Sequence, residues 1–199
     1  SVVNTVAQTV SGSGVFRNLT TSPTANFNAI TINNSSAGGV TFAGYNNIAS
    51  QPANSVSVSG TLTFTSGRIS TSGSAKFILG VSTPSAGTLS YTSGGFTSGT
   101  TFGRWFTATG TGSSFTAGAD VTSATSRYPF VDANNQLRSA WIERVSPTAA
   151  AGILGVTYSN ISGTTTGTYT DGATTLDTKA NDTWAVSAIQ GTPTAATSF

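Results

Sequence analysis

The sequence predicts an all-β fold, and two observations carry that prediction. Thr (37), Ser (29) and Gly (23) make up nearly half of the 199 residues. These residues disfavour helix, because hydroxyl side chains compete for backbone hydrogen bonds and glycine loses much entropy on folding. The second observation is alternation over residues 56–65, where Val56, Val58, Leu62 and Phe64 share one face and hydroxyls occupy most of the other. Such a pattern is typical of a strand with one buried and one solvated face.

The first part of the chain is predicted to form short strands separated by turn residues. Residues 1–11 alternate as a strand, and the Gly-Ser-Gly sequence at 12–14 breaks it. The further strands predicted here are residues 15–19, 29–32, 40–42, 56–65, 68–72 and 76–81. We expect them to form short solenoid-like or sheet rungs over about residues 1–85, with 1–14 as an extended segment before a β-rich part at 15–85.

The second part, residues 86–199, is richer in aromatic residues and is expected to hold the larger core. Residues 136–145 fit a helix or a strand. We favour a strand because the pair of asparagines at 134–135 signals a turn and Pro147 closes the run. The later strands are predicted at residues 152–159, 167–170 and 183–189. We expect an antiparallel sandwich that shares a core with the first part; a single jelly-roll-like β-sandwich is the alternative.

The side-chain inventory excludes several classes of function. The chain has no His and no Cys, which removes Ser-His-Asp and Cys-His catalysis, thiolate or imidazole zinc sites and disulfides. Eight basic residues are scattered singly and the net charge is only +2, so no polyanion-binding surface is expected. No apolar run reaches the length of a membrane-spanning helix. We predict no enzyme activity, no cofactor, no nucleic-acid binding and no membrane span.

Two side-chain groups could still bind ligands. Trp105 and Trp141 could form a platform for sugars, although aromatic residues in a chain with little Leu and no Met are first expected in the core. Asp171, Asp177 and Asp182 form the only acidic cluster along the sequence, in a stretch that reads as loop-rich. Carboxylates can bind Ca²⁺, but the spacing matches no defined calcium loop, so solvated turns are the default.

An ordered set of phrases supports a resemblance over about residues 15–145. The phrases are NAITINNSSAGGV (28–40), VSVSGTLTFTSGRI (56–69), FILG (77–80), SGGFTSG (93–99), RWF (104–106) and RYPFV (127–131). In this order they resemble the repeat modules of large secreted surface proteins of Bacteroidetes. Two departures are Asp132, where those modules usually have Gly, and a C-terminus without the Lys-ending sorting domain that many such proteins carry.

The resemblance implies cell-surface adhesion, gliding or matrix assembly, and it brings no catalytic residues with it. The chain contains no Met and begins with Ser, which predicts a chain made by cleavage, most simply of a secretion signal. Both observations lead us to expect an extracellular protein at the cell surface.

The leading functional hypothesis is a structural protein, a subunit or module of an adhesive filament or matrix that joins copies of itself. Residues 1–11 suit a donor strand, since they carry no charge, Pro or Gly and place Val2, Val6 and Val10 on one face, with Val3 on the other. The alternative for this segment is an ordinary first strand of its own subunit. The alternative function is a carbohydrate-binding module, whose partners would be surface glycans.

Overall fold

The computed structural model of this protein describes residues 5–10, 27–43, 55–82, 86–106, 127–142, 152–171 and 174–191. These residues contain strands and no helix, which confirms the all-β class. Within these ranges, no helix has the length and apolar character needed to cross a membrane. The strands are β1 (Gln8–Val10), β2 (Phe27–Asn33), β3 (Val40–Phe42), β4 (Ser55–Ser66), β5 (Arg68–Thr71), β6 (Lys76–Leu79), β7 (Thr88–Tyr91), β8 (Gly95–Thr97), β9 (Thr101–Phe106), β10 (Arg127–Tyr128), β11 (Phe130–Val131), β12 (Ala140–Trp141), β13 (Gly152–Ser159), β14 (Thr164–Asp171), β15 (Thr174–Ala180) and β16 (Thr183–Gln190).

Two large sheets take up most of these strands. The short sheet has the order β1-β3-β5-β8-β11, and every pair in it is parallel. The long sheet has the order β16-β13-β9-β6-β4-β2, with β7 also paired to β4. From β2 to β9 the chain passes back and forth between the two sheets, with β6 and β7 in succession on the long sheet, and the parallel pairs stack these passes as rungs.

Parallel strand pairing continues beyond residue 86, where the sequence predicted a change from parallel rungs to an antiparallel sandwich. β6 pairs with β9 and β8 pairs with β11 in parallel, although an antiparallel sandwich was expected from residue 86. Antiparallel pairing enters the long sheet only where β13 joins β9 and β16 joins β13. β10 with β12, and β14 with β15, form separate antiparallel pairs.

The core lies between the two sheets and is largely aromatic. Phe96 on β8 of the short sheet stacks on Phe102 on β9 of the long sheet, with ring centroids 4.3 Å apart. Phe77 contacts both Phe42 and Phe96, with centroid distances of 5.3 and 5.2 Å. Burying one such ring contributes about 1.5 to 3 kcal/mol. The aromatic residues therefore hold the two sheets together, as expected of a chain with no Met.

A smaller cluster covers the opposite face of the long sheet. Ile78, Ala86, Trp105 and Ile153 are buried there, and Ile189 of β16 packs against them. β16 is the last strand of the long sheet, at the opposite edge from β2. It contributes apolar side chains to both faces of that sheet.

Candidate assembly surface at the end of the long sheet

The core face of the long sheet continues onto β16. In the register of β13 and β16, Tyr158 pairs with Trp184 and Val156 pairs with Val186. Residues directly opposite each other in an antiparallel pair place their side chains on the same face. Tyr158 and Val156 are fully buried in the core, whereas Trp184 and Val186 are 40% and 41% exposed. The apolar face therefore extends one strand beyond the region that is covered.

The cover stops because the short sheet ends early. Beyond β11, only the segment around Leu137 adds to that sheet among the described residues. It does so through a bridge to Val131 and through a hydrogen bond from the Arg138 N–H to the Phe130 carbonyl, 2.7 Å long. Trp184 reaches this segment by donating its Nε1–H to the Arg138 carbonyl at 3.0 Å. The rest of the core face of β16 is left open to solvent.

Exposed apolar side chains lie at this end of the molecule. Trp184 and Val186 share the core face of β16, and we call them the terminal apolar patch. Leu137 and Ile161 are also exposed, in the segments that carry Arg138 and that hydrogen-bond to Asp182. The part of the chain that the structure describes has only five exposed large apolar residues, and the fifth, Val6, belongs to the segment that carries β1. Exposed apolar groups that cluster in this way mark interaction surfaces more often than scattered ones do.

A network of charged groups fixes the base of the patch. Arg138 bridges two carboxylates, with its Nη2 2.9 Å from Asp132 Oδ2 and its Nε 3.4 Å from Asp182 Oδ2. Asp182 also accepts hydrogen bonds from the Tyr158 hydroxyl at 3.0 Å and from the Ile161 N–H at 3.2 Å. The opposite charges of Arg138, Asp132 and Asp182, with the hydrogen bonds to Asp182, hold β13, the start of β16 and the turn after β11 together.

Burial raises the pKa of the Tyr158 hydroxyl from 10.0 to about 12, and the hydrogen bond to Asp182 and its negative charge act in the same direction. A pKa that is higher in the folded state contributes stability below the unfolded-state value, and this contribution is lost as the pH rises through the folded-state value. We therefore expect the urea midpoint to fall between about pH 10 and pH 12. Because Tyr158→Phe cannot ionise, it should show a shallower fall over that interval, and an unchanged slope would contradict the assignment.

β16 also has an open backbone edge. Its sequence, TWAVSAIQ, has no charge, Pro or Gly, and it pairs with β13 on one side while no described strand pairs with it on the other. Edge strands of natural proteins are usually guarded by charged residues, Pro, bulges or short length. β16 has a register shift at Ile189, near its end. Residues 183–188 before this shift are exposed and regularly paired with β13, and this uncharged stretch is a template for another strand.

The candidate donor residues lie at the opposite end of the stack. β1 pairs in parallel with β3 of its own chain, with Gln8 opposite Val40 and Val10 opposite Phe42. Val10 is half-buried against the core, whereas Val6 is 68% exposed. Val2 and Val3 lie outside the described residues. Within a single chain, residues 8–10 thus occupy the intramolecular position that the sequence left open as an alternative.

The two tryptophans considered for sugar binding lie in different surroundings. Trp105 is only 6% exposed and belongs to the cluster with Ile78 and Ile153, which is the position of a core residue. Trp141 is half-buried, and the guanidinium of Arg127 lies over its ring at 5.1 Å and over the Tyr91 ring at 4.3 Å. The structure therefore does not bring Trp105 and Trp141 into a single solvent-facing platform.

The acidic residues are distributed differently from the loop that the sequence suggested. Asp171 ends β14 and Asp177 lies within β15, while Asp182 is held by Tyr158 and Arg138. Thr-rich sequence around them favours strand, because Thr is β-branched. The side chains of Asp171 and Asp177 lie outside the described residues, so the calcium prediction is untested. Among the described side chains, no group of three or more potential ligands could hold a metal ion.

A surface groove of about 250 Å³ lies beside the turns that join the two sheets. Arg68 is its cationic residue, and all of its guanidinium nitrogens donate to the chain itself. Nη1 reaches the Ala37 carbonyl at 3.2 Å, Nη2 the Ala133 carbonyl at 3.0 Å, and Nε the Asn135 Oδ1 at 3.2 Å. Arg68 therefore joins successive rungs, and the groove offers little charge for a ligand.

Comparison with known proteins gives no match to this chain. No family model, no curated protein and no solved structure is significantly similar to it. The resemblance to Bacteroidetes surface modules therefore stays a prediction. One of its departures has a structural reason, because Asp132 is buried and accepts the Asn134 and Gln136 N–H groups at 2.9 and 2.8 Å. This carboxylate shapes the turn after β11, a role that Gly could not fill.

Proposed function

We propose that the protein is a structural subunit or module of an extracellular adhesive filament or matrix, and that its copies join by β-strand addition. One observation carries the proposal: in the described part of the chain, the long sheet ends in an uncharged edge strand with an open apolar face over residues 183–188. Such an edge can be completed by a strand from another chain. The resemblance to secreted surface modules supports the location and the class of function.

The fold suits a load-bearing role. In this proposal the stacked parallel rungs form a short β-solenoid, and the antiparallel strands β13 and β16 extend its long sheet toward a neighbour. Solenoids need terminal caps with a polar outer face to remain soluble as monomers. The terminal apolar patch has no such outer face, which favours end-to-end association.

The two ends of the molecule are different, and this favours a polymer over a closed dimer. The segment with exposed Val6 precedes β1 at one end of the short sheet, whereas β16 lies at the far end of the long sheet. A contact between unlike surfaces repeats from copy to copy, and it gives an open filament or a ring according to the rotation at each step. A strand-addition contact of this type needs no disulfide, in keeping with a chain that has no Cys.

Deleting residues 1–11 tests the proposal. We expect the wild-type chain to form polymers in light scattering and negative-stain images. The deletion variant should give a folded monomer, because it lacks the donor valines while the core between the sheets remains. Circular dichroism checks that the β structure is kept.

The matched control is Ser90→Asp, which adds one charge to an exposed strand position away from both ends and should still polymerise. If the deletion variant forms the same filaments, strand donation by this segment is wrong. If the deletion unfolds the monomer, residues 1–11 serve as the first strand of their own subunit.

A second candidate, a carbohydrate-binding module, rests on Trp141. Its ring is half-buried beside Tyr91 and Arg127, and aromatic and cationic side chains of this kind stack on and hydrogen-bond to ligands. A glycan array distinguishes the two functions. Binding by a monomeric wild-type chain that is lost in Trp141→Ala would favour the sugar module.

A further inference from the structure

We infer that the outer edge of β16 is the acceptor edge of the assembly, and that its occupant is the N-terminal segment, residues 1–10, of a second copy of this chain. This rests on the proposed function and adds to it the place where the donor binds. Three features of the molecule support this acceptor edge: the incomplete core at β16, the few backbone pairs of the donor in its own chain, and the chemical match between the two strands.

The apolar side chains on the core face of β16 are not fully covered by another strand of the described residues. Trp184 already packs on buried Tyr158, with ring centroids 5.5 Å apart, yet it remains 40% exposed, and Val186 next along this face is 41% exposed. Ala188 follows on the same face, opposite Leu154 of β13. A strand added at this edge would place its own apolar side chains beside these three residues.

The donor makes few backbone pairs in its own chain. β1 forms three register pairs with β3, and the Val6 carbonyl accepts a hydrogen bond from the Asn34 side chain at 3.1 Å. The edge of β16 offers six residues, 183–188, before its register shift. Val6 is 68% exposed, the highest value among the exposed large apolar residues of the described part. A strand that leaves an apolar side chain in solvent and makes few pairs gains both burial and backbone hydrogen bonds by moving to a longer edge.

The two strands match in chemistry. Residues 1–10 read SVVNTVAQTV and β16 reads TWAVSAIQ, and neither contains a charge, Pro or Gly. No side-chain charge has to be desolvated when they pair, and no residue of the donor lacks a backbone N–H, alternate ones of which would face β16. Other strands are poorer donors: β5 and β6 carry charged residues, and β4 lies within the long sheet.

Cysteine crosslinking of the full-length chain tests this directly, since the natural sequence has no Cys to give a background. Val6→Cys and Val186→Cys variants are mixed and oxidised. We expect an intermolecular disulfide that joins one copy of each variant. Pairing Val6→Cys with Ser90→Cys, an exposed position on β7, is the matched control and should give no such product.

A second variant, Val186→Lys, places a guarding charge on the acceptor edge and should slow polymer growth at least about tenfold. Ser90→Lys should leave growth unchanged. If Val186→Lys polymerises like wild type, or if Val6→Cys crosslinks equally to both partners, the acceptor edge is not β16 while strand addition itself stands. If the wild-type chain is monomeric at all concentrations, the proposed function fails as well.

Discussion

Replacing Phe96 with alanine is expected to lower the free energy of unfolding by about 3 to 5 kcal/mol. Phe96 is fully buried on β8 of the short sheet and contacts three aromatic rings of the long sheet. It stacks on Phe102 at 4.3 Å and lies 5.2 Å from Phe77 and 5.4 Å from Phe64. The substitution leaves a cavity between the two sheets. The sheets could fill this cavity only by moving whole rungs, so we expect most of the lost stability not to be recovered by relaxation of the structure.

Urea denaturation monitored by tryptophan fluorescence measures this loss. Phe96→Leu is the matched control, because it keeps most of the side-chain volume and should cost less than about 1.5 kcal/mol. A loss below about 1 kcal/mol for Phe96→Ala would mean that the aromatic residues do not hold the sheets together.

The positions of several strands could be predicted because the signal is local. The expected strands at 40–42 and 152–159 coincide with β3 and β13, and the one at 56–65 lies within β4. In each case alternating apolar residues define the strand, and Gly, Asn or Ser clusters end it. Residues 183–189 likewise match β16 within one residue.

Strand pairing could not be predicted, because it depends on residues that are far apart in the sequence. β4 pairs with β6 through its first residues and with β7 through later ones, and no feature of β4 alone identifies two partners.

Residues 136–145 show the same limit. The pattern suggested one continuous strand, but the structure has a bridge at Leu137 and then the short strand β12. Between them, the Arg138 N–H donates to the Phe130 carbonyl, and the Arg138 carbonyl accepts from the Trp184 side chain rather than from a neighbouring strand.

The candidate site could be predicted only in part, for a related reason. The valines of residues 1–11 stand out because the segment is uncharged and is followed in the sequence by Gly-Ser-Gly at 12–14. Trp184 and Val186 resemble ordinary core residues in the sequence. They become a surface only because the short sheet ends before it covers β16, and this is a property of the whole topology.

Replacing Gly67 with alanine is expected to cost more than about 2 kcal/mol. Gly67 is buried in the turn between β4 and β5 and has a φ of 105°, a conformation that a residue with a Cβ adopts only with strain. A methyl group there would also strike the carbonyl of Asn34 in the turn of the preceding rung. The turns are stacked tightly, because the Gly95 N–H donates to the Gly67 carbonyl at 2.9 Å. One added methyl group should therefore disturb the spacing of three rungs.

Gly99→Ala separates the two contributions to this loss. Gly99 also has a positive φ, 83°, but it is exposed, and no atom beyond its two chain neighbours lies within 4 Å of the position that a Cβ would take. This control carries only the conformational cost, about 1 to 2 kcal/mol. Urea midpoints of both variants, measured beside wild type, should show the larger loss for Gly67→Ala. Equal losses of stability in the two variants would mean that the stacked turns can move apart to accept a methyl group. Close stacking of the rungs would then not restrict which residues can occupy the turns.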